Sequence, residues 1–186
     1  MKISNPLLLL LFLFITGCSS APEQHTQYYL LYNHSAALMP APDKSLVSQP
    51  IKIEVTMPAY LNQPNLVIKL SEHNLHFALH HQWAEPLKQG FYKSLISDIN
   101  QTERYKSLIS AVKTSMPTLN VTIEHFHITE NSMVILSGHY GYSNSTTSSI
   151  ARFDLRLPLE LDGYEHAVAQ LRSLITQLAI KIAARE

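Results

Sequence analysis

The chain has 186 residues and a formal net charge of zero, with 14 basic and 14 acidic side chains. This balance argues against nucleic acid as a partner, because proteins that bind nucleic acid need a stripe of Lys and Arg that displaces counterions. The chain contains one cysteine, so no disulfide can form within it, and burial of apolar surface must stabilise the fold.

The first 17 residues are predicted to be a lipoprotein signal peptide. A basic residue at position 2 precedes an apolar run over 7–15, and the run ends in Ile15-Thr16-Gly17-Cys18, which resembles the lipobox of bacterial lipoprotein precursors. The alternative, a transmembrane helix, is disfavoured because a helix that spans the bilayer needs about 20 apolar residues. We therefore expect cleavage before Cys18, whose thiol would carry a covalent lipid.

Residues 18–27 follow as a lipidated N-terminus and tether, and 28–186 are predicted to form a single α+β domain. In lipoproteins of this kind, an Asp directly after the lipidated cysteine commonly retains the protein on the inner membrane, and Ser19 stands at that position here. The motif therefore implies an outer-membrane lipoprotein that faces the periplasm and is anchored in membrane lipid through Cys18. No cofactor other than this covalent lipid is expected.

The first half of the domain shows the two-residue period of β-strands and then the period of an amphipathic helix. In the strand that ends at His80, Leu75, Phe77 and Leu79 are predicted to share one face. Pro86 stands in the first turn of the helix, where its missing N–H costs nothing. The predicted strands are 28–32, 51–57, 66–70 and 75–80, the last two forming a hairpin; a loop covers 33–50, and the helix begins near residue 87.

The second half is predicted to contain a short strand, a three-strand antiparallel meander and a closing helix with an apolar stripe. The short strand covers 105–109, the meander 121–129, 133–142 and 149–157, and the helix 164–184. This order predicts an α+β fold in which about six strands form a largely antiparallel sheet and two amphipathic helices pack on one face. The opposite face would mark an interface if apolar residues on it stay uncovered.

Histidines are the first candidates for chemistry, because ten occur in the chain. His76, His80 and His81 lie near the end of the hairpin, and His125 and His127 lie two residues apart on one strand. A zinc site needs three or four converging ligands, which spacing alone cannot show. Exposed surface or interface histidines are therefore the favoured interpretation.

No pattern in the chain predicts an enzyme. A Gly-x-Ser-x-Gly elbow is absent, the one cysteine is assigned to lipid, and Asp98 is interpreted as a helix-end charge. Tyr60 and Trp83 are candidate partner-binding residues, because such aromatics dominate interface hot spots. For Trp83, packing at the junction of hairpin and helix is the favoured alternative, because Trp is highly buried on average.

Two segments, 57–67 and 82–87, resemble the signature segments of the PqiC (YmbA) family, the ABC-type transport auxiliary lipoproteins. The lipobox, the early Tyr-Tyr-Leu-Leu strand and the closing helix agree with this resemblance. It implies an outer-membrane lipoprotein that works with a periplasmic MCE-domain protein similar to PqiB, and with an inner-membrane component, in moving lipids between membranes and preserving envelope integrity. The resemblance implies no catalytic residues.

The resemblance leads to an adaptor hypothesis, in which the domain docks the end of a tunnel-forming MCE protein at the outer membrane. Homo-oligomers in the form of a ring are one way to align that tunnel. The alternative is a periplasmic carrier that holds an acyl chain in an apolar pocket between the sheet and the helices. Metal binding through the histidines is a third hypothesis.

Overall fold

The computed structural model describes residues 25–32, 49–101, 105–107, 117–143 and 148–184. The predicted signal peptide, Cys18, most of the tether and most of the predicted loop over 33–50 lie outside the described residues. Eight strands and two helices are present in the described part: β1 (Gln27–Tyr29), β2 (Gln49–Thr56), β3 (Asn65–Lys69), β4 (Leu75–Trp83), α1 (Leu87–Gln101), β5 (Tyr105–Ser107), β6 (Thr118–Thr129), β7 (Met133–Ser143), β8 (Ser148–Pro158) and α2 (Tyr164–Ala184).

Strand β6 is the centre of the sheet, and its two sides have different neighbours. On one side, β7 pairs antiparallel with β6, and β8 pairs antiparallel with β7. On the other side, β2 lies parallel to residues 118–122 and β3 lies parallel to residues 128–129. β4 pairs antiparallel with β3. The short strand β1 pairs parallel with β4, and the short strand β5 pairs parallel with β2. The α+β fold is confirmed, and the predicted meander is formed by β6, β7 and β8.

Both helices pack on the same face of the sheet, as predicted. The ring of Phe91 in α1 meets the ring of Phe126 edge-on, with centroids 5.6 Å apart. The hydroxyl of Tyr140 donates to the carbonyl of Lys181 in α2 at 3.4 Å. Phe126 and Tyr140 point to the same side of the sheet, because Phe126 pairs with Leu136 and side chains four residues apart on β7 share a face.

The space between the sheet and the helices is filled by apolar side chains, because the predicted apolar stripes of both helices face the sheet. The largest contributions come from residues with almost no exposed surface: Phe91, Leu95, Phe126, Leu136, Leu171, Leu174 and Leu178. Neither helix in the described part is long and apolar enough to cross a membrane.

Leu79 lies in a bulge of β4. Phe77 pairs with Val67 and Gln82 pairs with Asn65, so four residues of β4 lie opposite Leu66 alone. Leu79, which the sequence predicts on one face with Leu75 and Phe77, lies within this bulge and is 70% exposed. Extra residues of this kind are typical of bulges, which bend a strand and redirect its side chains.

A second bulge lies in β6, between Ile123 and His125. Gly138 on β7 pairs with Ile123 at this point, and a Cβ atom there would overlap with the carbonyl oxygen of Thr122. The backbones can approach this closely only because position 138 has no side chain. The bulge leaves the carbonyl of Glu124 outside the β6–β7 pairing, where a side chain from another segment can reach it.

The two helices are joined by an ion pair between Asp98 of α1 and Arg172 of α2. Two guanidinium nitrogens of Arg172 donate to the two carboxylate oxygens of Asp98, each at 2.6 Å, and the hydroxyl of Thr176 donates to Asp98 at 2.9 Å. Asp98 lies in the last turn of α1, as a helix-end charge does, and the ion pair with Arg172 is an addition that the sequence did not predict. A carboxylate in the last turn would meet the negative end of the helix dipole, and here the Arg172 cation offsets that contact.

Candidate functional site

The two segments that resemble signature segments meet at one corner of the sheet, beside β1. The backbone N–H of Trp83 donates to the carbonyl of Pro64 at 2.7 Å, which joins 82–87 to 57–67. The next backbone N–H, that of Ala84, donates to the carbonyl of Tyr29 in β1 at 2.9 Å. The structure therefore brings together three stretches that are well separated in the sequence.

Trp83 lies at the centre of this corner and is only 7% exposed. Its ring stacks against Phe126 with centroids 6.4 Å apart, and Phe126 in turn contacts Phe91 of α1. This location is what the packing alternative requires, since the ring joins the hairpin, the sheet and the helix. The partner-binding role of Trp83 stays a prediction, and a partner could contact only a small part of the ring.

Tyr60 lies in a 3₁₀ turn, Ala59–Asn62, which fills the gap between β2 and β3 beside the bulge of β6. Its hydroxyl donates to the carbonyl of Glu124 at 3.0 Å and lies 3.5 Å from Nδ1 of His125. Burial raises the pKa of Tyr60 to about 12, although a hydrogen bond with the backbone of Phe126 lowers it in part. The half-buried ring thus connects the segment 57–67 to the sheet face opposite the helices.

Replacing Tyr60 with Phe is expected to lower the free energy of unfolding by about 0.5–1.5 kcal/mol, because one intramolecular hydrogen bond is lost. The loss should shrink as the pH rises from about 10 to about 12, since the wild type then loses stability when the hydroxyl ionises more readily in the unfolded chain. Urea unfolding of both proteins at neutral and alkaline pH measures this difference. An equal effect at every pH would contradict the burial of the hydroxyl.

The sheet face opposite the helices is polar along β6, β7 and β8. Glu124 and His139 lie 3.3 Å apart, and Arg156 donates twice to Asp154 at 2.8 Å. A partner on this face would therefore meet charged and imidazole groups, together with the exposed Ile150. The polar side chains that register places on this face are Glu124, His125, His127, Ser137, His139, Arg152, Asp154 and Arg156.

His127 differs from the exposed histidine that the sequence predicts. It shares a face with His125, with ring centroids 5.4 Å apart, but it is only 2% exposed because β3 lies alongside this part of β6. Burial is the main cause that lowers the pKa of His127 to about 4; a hydrogen bond to the Ile128 carbonyl opposes the shift, and the nearby His125 and Lys69 contribute to it. This imidazole is neutral at the pH at which most proteins work.

The other predicted histidines line a hollow of about 480 Å³ at the N-terminal edge of the sheet, together with His25. The rings of His81 and Tyr164 stack with centroids 3.7 Å apart, and Nδ1 of His81 lies 2.9 Å from the hydroxyl of Tyr29. Burial and the neighbouring His80 lower the pKa of His81. In the part of the chain that the structure describes, no three His, Cys, Asp or Glu side chains are arranged to hold a metal ion.

Comparison with known proteins agrees with this arrangement. A family model described as the ABC-type transport auxiliary lipoprotein component matches residues 29–183. The intermembrane transport lipoprotein PqiC of Escherichia coli (strain K12) is 27% identical over 176 residues, which cover 92% of this chain and 91% of that protein. The protein of the same name from Shigella flexneri matches with the same identity and the same coverage.

Two solved structures share the fold. The crystal structure of an uncharacterized protein has a TM-score of 0.73 and 24% identity, and the match covers 86% of this chain and 97% of that one. A crystal structure of a protein from Xanthomonas campestris has a TM-score of 0.64 and 12% identity, with 76% and 86% covered. At these identities the likeness shows the fold alone.

Proposed function

The chain belongs to the ABC-type transport auxiliary lipoprotein family, and from this premise we propose that it docks a periplasmic MCE-domain tunnel protein at the outer membrane. The observation that carries the proposal is the match over nearly the whole chain to lipoproteins named for intermembrane transport, combined with a lipobox that ends at Cys18. A membrane-attached lipoprotein of a transport system needs protein partners. The family is not an enzyme family, and the proposed role requires no catalysis.

The anchor in this proposal is a lipid on Cys18. Each methylene group of an acyl chain that enters the bilayer contributes about 0.8 kcal/mol, so more than one chain holds a protein on its membrane. Ser19 in place of Asp supports transfer to the outer membrane rather than retention on the inner one. The domain would then face the periplasm, where the end of a tunnel protein can reach it.

The docking surface in this proposal includes Tyr60 and the polar sheet face beside it. Tyr60 is half-buried and anchored to Glu124, so it is presented in one position at the rim of the face. The buried ring of Trp83 packs at the same corner, where it stacks on Phe126. Several copies arranged in a ring could surround the tunnel end, with a PqiB-like MCE protein as the partner.

The packing of the domain favours an adaptor over a carrier. A carrier needs room for an acyl chain between the sheet and the helices, and this space holds Phe91, Leu95 and Phe126, all almost fully buried. Mass spectrometry of the purified, unacylated domain separates the two hypotheses. Phospholipid that co-purifies in a one-to-one ratio would overturn the adaptor in favour of the carrier, whereas lipid-free protein that captures an MCE-domain protein supports the adaptor.

Replacing Cys18 with Ala is expected to abolish membrane attachment and, with it, the contribution of the protein to envelope integrity. Fractionation of cells and resistance to detergent measure the two effects. Ser20→Ala is the matched control, because it leaves the lipobox intact, and Ser19→Asp should move the protein to the inner-membrane fraction. Full envelope integrity with a soluble Cys18→Ala product would show that anchoring plays no part.

A further inference from the structure

The N-terminal edge of the sheet exposes apolar side chains where the tether enters the domain. Tyr28 and Leu30 are exposed at β1, and Leu79 is exposed on the neighbouring strand β4. These are three of the seven large apolar side chains that are exposed in the described part of the chain. We call these three residues the edge patch.

Leu79 is the most exposed member of the edge patch, at 70%, and it lies within the bulge of β4. Four residues of β4, including Leu79, lie opposite Leu66 alone, so this part of the strand departs from regular hairpin pairing. Pairing of His81 with Gln27 then places this bulge directly beside β1. Three exposed apolar side chains on two neighbouring strands mark a candidate contact surface.

The strands of the edge patch contain no carboxylate, ammonium or guanidinium side chain. Residues 25–32 and 75–83 contain no Asp, Glu, Lys or Arg, and their polar members other than Tyr and Trp are His, Gln and Thr. Contact with a surface that excludes water would therefore not bury an ionised group of these strands, which is the main cost of such contact. The attraction would come from apolar burial rather than from charge.

The length of the tether limits how far the edge patch can lie from the membrane that holds the anchor. The nine residues that lead from Cys18 to Gln27 span at most about 30 Å when fully extended. A small patch held so close to a membrane meets it at a high effective concentration, so a weak affinity is enough. A stable protein interface needs about 1,000 Å² or more of buried surface, which three side chains do not supply.

We propose that the edge patch lies on the phospholipid surface of the membrane that holds the anchor, so that the domain takes one orientation on the bilayer. This inference rests on the proposed function, because it requires a lipid anchor at Cys18. With the N-terminal edge on the membrane, the domain stands with a defined side toward the periplasm instead of rotating on its tether. A fixed orientation is what an adaptor needs in order to receive a tunnel end.

The test uses a chain that begins at Cys18 and is coupled through its one thiol to a maleimide phospholipid in phosphatidylethanolamine-rich vesicles. Because the linkage is made chemically, the result does not depend on acylation in the cell. A failure of the orientation proposal is therefore distinguishable from a failure of the proposed function. Two reporter variants are compared, Leu79→Trp and Ile180→Trp. Ile180 is 58% exposed and lies about 24 Å along α2 from Tyr164, the residue on which His81 stacks.

Nitroxide groups on the lipid headgroups should quench Leu79→Trp roughly twofold or more above Ile180→Trp, because the edge patch enters the interface. The buried Trp83 adds the same background to both variants. The difference should persist from about 0.1 M to about 1 M salt, since apolar contact is not screened. Adding Tyr28→Ser and Leu30→Ser should reduce the quenching to the level of Ile180→Trp.

Equal quenching of the two reporters would overturn the proposal. Quenching of Leu79→Trp that survives Tyr28→Ser and Leu30→Ser would also overturn it, because the tether alone would then explain the proximity. Circular dichroism of each variant before coupling shows that the fold is intact, so that a loss of quenching reports orientation.

Discussion

Replacing Arg172 with Ala is expected to lower the free energy of unfolding by about 3–5 kcal/mol, because it leaves a buried carboxylate without its cation. Asp98 is only 7% exposed, and after the substitution the hydroxyl of Thr176 would be its one remaining side-chain partner among the contacts described above. Asp98→Ala should cost less, since the side chain of Arg172 is 27% exposed and its guanidinium can turn toward water. Arg172→Ala is expected to have the larger effect because the carboxylate that it leaves unpaired is the more deeply buried of the two charges.

Urea unfolding of Arg172→Ala, Asp98→Ala and the double variant measures these losses and the coupling between them. Arg156→Ala is the matched control, because Arg156 also donates through two guanidinium nitrogens to both oxygens of a carboxylate, that of Asp154, but both side chains of this pair are more than half exposed. An exposed pair contributes about 0–1 kcal/mol. Similar losses for Arg172→Ala and Arg156→Ala would show that the pair between the helices does not depend on burial.

The sequence predicted the bounds of the strands and helices better than it predicted which strands pair with each other. Alternation and helical period placed the hairpin, the meander and both helices within a few residues of their observed bounds. The parallel pairings of β6 with β2 and β3 were not predicted, because alternation reports which side chains face the core and not which strand lies beside another. The pair between Asp98 and Arg172 could not be predicted either, since it joins residues 74 positions apart.

The candidate site was predicted from motifs, and the exposure of individual side chains was predicted less well. The resemblance of 57–67 and 82–87 singled out the two segments that meet at one corner, although nothing in either segment shows that they touch. The bulge that contains Leu79 was not predicted, because it leaves no mark in the alternation of β4. His127 was expected on the surface because its own strand alternates, whereas the neighbour that buries it is β3.

The burial of His127 leads to the second prediction, a loss of stability in acid. In the unfolded chain this imidazole takes up a proton at its ordinary pKa of 6.5, whereas in the fold its pKa is about 4. The unfolded state therefore binds more protons between these values, and stability falls as the pH is lowered through this window. At 1.36 kcal/mol per pKa unit, the loss at the lower end is about 3 kcal/mol.

His127→Gln should remove this part of the pH dependence, because glutamine does not titrate, while stability near neutral pH changes less. His125→Gln is the matched control on the same face of β6, and it should retain most of the acid loss because His127 stays buried beside β3. The free energy of unfolding in urea, measured at several pH values from about 7 to about 4, gives the slopes. Parallel slopes for the wild type and His127→Gln would contradict the prediction, because the proton uptake in this window would then belong to other groups.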